Sequence, residues 1–268
     1  MRFATHSLAV LALAAALPAA AEDLTIVSKV TRDGGPPTTT TSYISSDHAR
    51  FAQAEGQEAI LDLGTGTTTV IDGRKKEYFV ITPQDWEQMR ARMDQMMNSP
   101  EMKRAQEQMK NLPPDVQKRM QSMMGGMASQ VEVKKLGTTR KIAGYNCEDW
   151  TYSFGGMSKT QQCLTTELPL PAQTFDKYRD YAKNMMSMMA AMGPMAKGMA
   201  EMQEKMKDMK GIPLAVNTSV SVMGRSSSTS SEVTEIKKGP IPASAWQPPA
   251  GYAKVANPMT KEMAAPRH

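Results

Sequence analysis

From Leu24 onward, apolar and polar residues alternate at the two-residue period of a β-strand, first in Leu24 to Val30, then in Thr38 to Ile44 and His48 to Ala52. Three more such runs follow: Ala59 to Leu63, Thr67 to Ile71 and Glu77 to Ile81. Asp33-Gly34-Gly35-Pro36, Gly64-Thr65-Gly66 and Asp72-Gly73 punctuate them with turn chemistry. Short strands joined by tight turns predict a meandering antiparallel sheet. At Thr82 the period changes. Thr82 is a candidate N-cap and Pro83 suits the first helical position. Met89, Met93 and Met96 then recur at spacings of four and three. The series resumes after Ser99-Pro100 with Met102, Ala105 and Met109, and after Pro113-Pro114 with Val116, Met120, Met123 and Met127. A helical region over about 83–127 is expected.

Strand character returns from Val131 to Leu136 and runs on through Lys141 to Cys147, Trp150 to Phe154 and Thr160 to Thr165. Gly155-Gly156 reads as a hairpin turn that places Cys147 and Cys163 on opposite strands. Beyond Pro169 and Pro171, a second helical region over about 172–210 carries Met185, Met188, Met192, Met195, Met199, Met202, Met206 and Met209 in a three-four repeat. Gly193-Pro194 should kink it and Gly211 should end it. Two last strands, Ala215 to Met223 and Ser227 to Ile236, precede a Pro-rich stretch expected to be loosely ordered over 256–268.

Ahead of the strands, Arg2, an apolar run from Leu8 to Leu17, Pro18, and the small residues Ala19 and Ala21 have the layout of a secretory signal peptide, with cleavage expected between Ala21 and Glu22. The run is too short to cross a bilayer core of roughly 30 Å. No cysteine at the junction offers a lipid attachment point. The expected organisation is a signal peptide over 1–21, a single domain with two helical insertions over 22–255, and a tail over 256–268. The expected location is the periplasm, without a membrane anchor. There, Cys147 and Cys163 would pair as one intrachain disulfide, closing a loop worth about 3 kcal/mol; two buried reduced thiols are the alternative. The formal charge of +5 includes Arg2, so it falls to +4 after cleavage, and cations and anions alternate along the chain. Without a basic stripe, nucleic acid is not an expected partner.

Several local motifs carry a family resemblance: Arg140-Lys-Ile-Ala-Gly-Tyr-Asn-Cys147-Glu, the second cysteine ahead of Leu168-Pro-Leu-Pro171, Gly211-Ile-Pro-Leu214, Ile241-Pro-Ala-Ser-Ala-Trp246 and Pro249-Ala-Gly-Tyr252. With the early strands, roughly residues 24 to 255 resemble an uncharacterised bacterial domain-of-unknown-function family. That family is similar in strand order to the LolA-like periplasmic lipoprotein carriers and the LppX-like lipid carriers, in which a curved half-barrel shelters acyl chains beneath helices. The resemblance implies an α+β fold class: a curved antiparallel β half-barrel of about eight to eleven strands, LolA-like, with Met-rich helical insertions. No ligand-binding residue of the carriers matches a position here.

The chemistry-bearing residues are few. Beyond the leader the histidines are His48 and His268. His48 falls in Ser45-Ser46-Asp47-His48, where a solvated side chain is expected. Acid-base catalysis, zinc ligation and a phosphate-binding loop all lack their residues. No catalytic activity, metal or cofactor is therefore expected. Methionine needs an explanation: 20 of the 24 beyond the leader fall within 83–127 and 172–210. Three readings compete. The stripes are ordinary helical core; or they form a deformable apolar surface for a ligand or protein partner; or their thioethers bind Cu(I) or Ag(I). The preferred function is a non-enzymatic periplasmic carrier of apolar ligands such as lipid, acyl chain or lipoprotein. The alternatives are an interaction protein docking a partner through its Met-rich helices, and soft-metal binding. A carrier requires an apolar cavity between sheet and helices, whereas an interaction arm requires an exposed Met face. Oligomeric state is left open.

Overall fold

The computed structural model describes residues 23–52, 56–110, 113, 131–154, 158–168, 174, 176–178, 180–181, 201, 204–222 and 225–262. The expected signal peptide and its Ala21–Glu22 junction lie outside these residues. No helix among the described residues is long and apolar enough to cross a membrane.

Two meanders make one sheet. The first comprises β1 (Leu24–Arg32), β2 (Thr38–Ile44), β3 (His48–Ala52), β4 (Gln57–Asp62), β5 (Thr67–Asp72) and β6 (Glu77–Ile81). The second comprises β7 (Val131–Ile142), β8 (Tyr145–Phe154), β9 (Ser158–Thr165), β10 (Ile212–Val222) and β11 (Arg225–Lys238). β1 and β11 join them side by side in antiparallel register from Leu24 opposite Lys238 to Arg32 opposite Thr229. A two-residue strand, β12 (Ala253–Lys254), lies parallel to β6 and makes the count twelve, one more than the expected maximum. The sheet is curved and unclosed, with β12 and β7 at its two ends.

Turn chemistry accounts for the first meander. The Asp62 carboxylate accepts from the backbone N–H groups of Gly64 and Thr65, and that of Asp72 accepts from Arg74 and Lys75, so each Asp closes its own hairpin loop. Between β7 and β8 the chain turns over Ala143 and Gly144, both at positive φ (49° and 90°). This two-residue turn matches the twist of the strands it joins. The sequence pattern reads as continuous strand there, because alanine does not advertise a left-handed conformation. The β8–β9 hairpin forms as expected, and Cys147 and Cys163 are disulfide-bonded across it with Cα atoms 5.2 Å apart.

The change of period at Thr82 starts α1 (Pro83–Met97): the Thr82 hydroxyl accepts from the Asp85 N–H while the Asp85 carboxylate accepts from the Thr82 N–H. α2 (Pro100–Lys110) follows after Ser99. The expected continuation to residue 127 lies outside the described residues except for position 113. Of the second helical region, positions 174, 176–178, 180–181, 201 and 204–206 are helical. The described chain is therefore mostly sheet. The Met-rich insertions expected from the periodicity are represented by α1, α2 and these short stretches. Within the expected tail, Asn257 caps a short helix, α3 (Pro258–Glu262), accepting from the Met259 N–H.

Pairing register divides the first meander into two faces. Ile44, Ala49, Leu61, Thr68 and Ile81 lie opposite one another in a row on one face, and Tyr43, Arg50, Ile60, Thr69 and Val80 in a row on the other. A 3-10 turn at Ala243–Trp246 covers the second row. Trp246 stacks on His48 with ring centroids 5.2 Å apart and meets Tyr43 edge-on at 6.3 Å. Arg50 donates to the carbonyls of Ala245 and Gln247. His48 opens β3 as the alternation predicts, but its side chain, expected to be solvated, lies against an indole because a tertiary partner from far along the chain reaches it. The core lies along the β1–β11 junction, where Leu24, Ile26, Ile212, Leu214, Val233 and Cys163 are all at most 6% exposed. Each fully buried aliphatic side chain there contributes roughly 1.5–3 kcal/mol.

Candidate functional site

The sheet's inner face holds an apolar cavity of about 360 Å³, partly open to solvent. Its floor comes from the middle of the sheet: Ile26 of β1, Ile44 of β2, Ala49 and Phe51 of β3, Ile212 and Leu214 of β10, and Val233 of β11. Because β1 and β11 come from opposite ends of the chain, the floor exists only once the two meanders have joined. Ser28, Ser42 and Ser231 line the cavity beside this apolar patch, and Tyr178 lines it from the second helical region.

One helical face holds Tyr178 in position. Thr174, Lys177, Tyr178 and Tyr181 are spaced i, i+3, i+4 and i+7, which puts all four on the same side of a helix. The Thr174 side chain is 1% exposed and its hydroxyl donates to the Ser46 carbonyl. Lys177 forms an ion pair with Asp47, and the Lys177 ammonium beside Asp47 holds its carboxyl below the usual carboxylate range. The hydroxyls of Tyr181 and Thr68 are 2.7 Å apart. Three polar contacts thus tie the helix to the β2–β3 turn and to β5, and the Tyr178 ring faces the cavity between them. Its hydroxyl is buried without a hydrogen-bond partner among the described residues, and burial pushes its pKa up.

Gly211, expected as a helix stop, lies five residues beyond the last helical position of that region, 206, and instead sits at the cavity wall. Its φ is +118°, and a Cβ there would sit 2.3 Å from the Thr165 carbonyl oxygen. The absence of a side chain lets β10 begin hard against the end of β9.

Among the methionines singled out by periodicity, Met89 is buried at 5% exposure, Met93 is half-buried and Met96 is 47% exposed. The stripe on α1 therefore runs from core to solvent. Met120, Met123, Met185, Met188, Met192, Met195, Met199 and Met202 lie outside the described residues. The described methionines are not part of the cavity lining. The residues that do line it were missed by the sequence reading, for two reasons. Aliphatic strand residues look alike on either face of a sheet. The Thr174-to-Tyr181 spacing was overshadowed by the longer methionine repeat that follows it. Among the described residues, no three His, Cys, Asp or Glu side chains gather to hold a metal ion.

No curated protein matches the chain. Solved structures share its course at low identity. PNGF-II is 11% identical with a TM-score of 0.40, matching 91% of this chain and 32% of its own. MucB is 12% identical with a TM-score of 0.37, matching 88% of this chain and 60% of its own. A LolA superfamily protein from Nitrosomonas europaea is 5% identical with a TM-score of 0.22, over 86% of this chain and 91% of its own. The chain thus spans about a third of PNGF-II and less than two thirds of MucB. The domain of unknown function DUF4412 matches residues 75–252, which include α1, the disulfide hairpin, the Gly211 junction and the Trp246 turn, and the chain belongs to this family.

Proposed function

We propose that this protein is a non-catalytic carrier of apolar ligands that works in an oxidising compartment outside the cytoplasm, with the cavity on the inner face of its sheet as the binding site. The observation that carries this reading is the cavity itself, floored by apolar residues of five strands and bordered by a tethered helix. Its volume of about 360 Å³ falls in the range of small-molecule sites, roughly 300–1,000 Å³. The Cys147–Cys163 disulfide and the Arg2-to-Ala21 leader pattern support the compartment, since such bridges persist where thiols are oxidised.

The reading is tested on protein exported to the bacterial periplasm and purified without detergent. Native mass spectrometry and organic extraction should release a stoichiometric apolar compound. Stripped protein should then bind the neutral fluorophore N-phenyl-1-naphthylamine, and Leu214→Phe, which fills the floor, should weaken that binding at least about tenfold, the equivalent of 1.4 kcal/mol. Protein that is empty and also indifferent to the fluorophore would rule the carrier reading out.

A further inference from the structure

The cavity on the inner face has a direction, and the strand registers give it. Its floor comes from five consecutive strands, β3, β2, β1, β11 and β10, and each step between neighbours is made by a directly paired couple of lining residues. Ala49 of β3 pairs with Ile44 of β2, and Ser42 of β2 with Ile26 of β1. Beyond them Ser28 of β1 pairs with Val233 of β11, and Ser231 of β11 with Val216 of β10. Every couple sets a small side chain against a branched one, and the small ones leave depth between the bulky ones. On β2, β1 and β11 the lining serine and aliphatic residue are two positions apart, so both face the same way. The cavity is therefore a narrow trough that runs across the strands.

Length and volume agree on what fills it. The four intervals between these five strands, at roughly 4.8 Å each, span about 19 Å. Spread over that length, the volume of about 360 Å³ leaves a mean cross-section of roughly 19 Å². A saturated chain has a cross-section of about 23 Å², from ~30 Å³ per methylene, the share of a liquid water, and ~1.3 Å of advance per C–C bond. The trough has the section of one chain and not of two. By volume it holds about 12 carbons and by length about 15. A fused-ring compound or a bundle of chains needs a shorter and wider space.

We infer that the occupant is a single unbranched hydrocarbon chain laid across the strands from β3 to β10, with about 12–15 of its carbons inside the trough. This inference rests on the carrier reading and narrows it from apolar ligands in general to one chain per protein. Ser28 is the position that tests the path, because β1 is the middle strand of the five and a bulky residue there divides the trough.

The test uses the full processed chain, stripped of lipid and loaded with N-phenyl-1-naphthylamine. Saturated fatty acids from octanoate to octadecanoate, which differ only in chain length, compete for it at neutral pH. Affinity should rise about fourfold with each methylene buried and level off at about 12–15 carbons, beyond which added methylenes stay in water. A phospholipid with two dodecanoyl chains should compete no better than the one-chain lyso form of the same head group. Ser28→Leu should move the levelling-off to about half the wild-type length, and the two wild-type comparisons decide even where that variant fails to fold. A rise that continues unbroken to octadecanoate, one that stops well short of about 12 carbons, or a two-chain lipid at least about tenfold tighter than its lyso form overturns the one-chain inference. So does a folded Ser28→Leu protein with an unshifted series, or fluorophore that no acid displaces; each leaves the carrier reading standing. Absence of fluorophore binding defeats the carrier reading beneath it.

Discussion

At Gly211 two physical effects act on one residue. A left-handed φ costs an alanine about 1–2 kcal/mol, and a Cβ placed 2.3 Å from the Thr165 carbonyl adds a backbone clash that no rotamer can relieve. Gly137 also has a positive φ, +74°, but open space around it. Urea unfolding should therefore separate the two: Gly137→Ala should lose about 1 kcal/mol and Gly211→Ala at least 3 kcal/mol. Equal losses would show that the clash is absorbed by movement of β9. The sequence marked Gly211 as a helix stop, whereas the helix ends at 206; its closeness to Thr165 was not legible, because the end of β9 lies far away along the chain. Ala143 is the opposite case. Its positive φ follows from hairpin geometry alone, and nothing in the side chain announces it.

At the level of elements, α1 was readable because its start is written in local chemistry: Thr82, Pro83 and Asp85 satisfy the first turn without help from elsewhere. The 174–181 segment depends on distant groups. Its tethers are an ion pair to Asp47, a hydroxyl pair with Thr68 and a hydrogen bond to the Ser46 carbonyl. The Asp47 carboxyl has a folded-state pKa below its unfolded value, so its contribution is present in full above the unfolded carboxylate range and is lost as pH falls through the depressed folded value. Acidification to below the ordinary carboxylate range should thus release this tether. Asp47→Asn should reproduce the release at neutral pH, seen as faster amide exchange in the 174–181 segment with little change in the sheet. Exchange in that segment that is insensitive to both pH and substitution would show that Tyr181 and Thr174 hold the helix without the ion pair. A stripe of i, i+3, i+4 and i+7 positions was present in the sequence as a signal for this face, but such a stripe says that a helix is covered without saying by what.

For the whole molecule, the decisive contact is β1 against β11, which turns two local meanders into one sheet and creates both core and cavity floor. The disulfide braces the second meander beside that junction, since Cys163 pairs in register with Ala215 of β10, next to Leu214. Reduction, or a Cys147→Ser/Cys163→Ser variant, should lower the unfolding free energy by about 3 kcal/mol. An unfolding midpoint indifferent to reductant would mean that the bridge is absent from the protein in solution.

By itself the sequence determined which stretches are strands, where α1 begins, where most turns fall and that the two cysteines face each other across a hairpin. All of these depend on groups within about a dozen residues of one another, where turn chemistry, capping and alternation act directly. Only the tertiary structure decided that the first strand lies beside the eleventh, that Trp246 stacks on His48, and that Tyr178 borders the cavity. Those choices were settled by which apolar faces could be buried together. Burial depends on area and shape without regard to distance along the chain, so an aliphatic side chain cannot specify from its own position which partner it will meet.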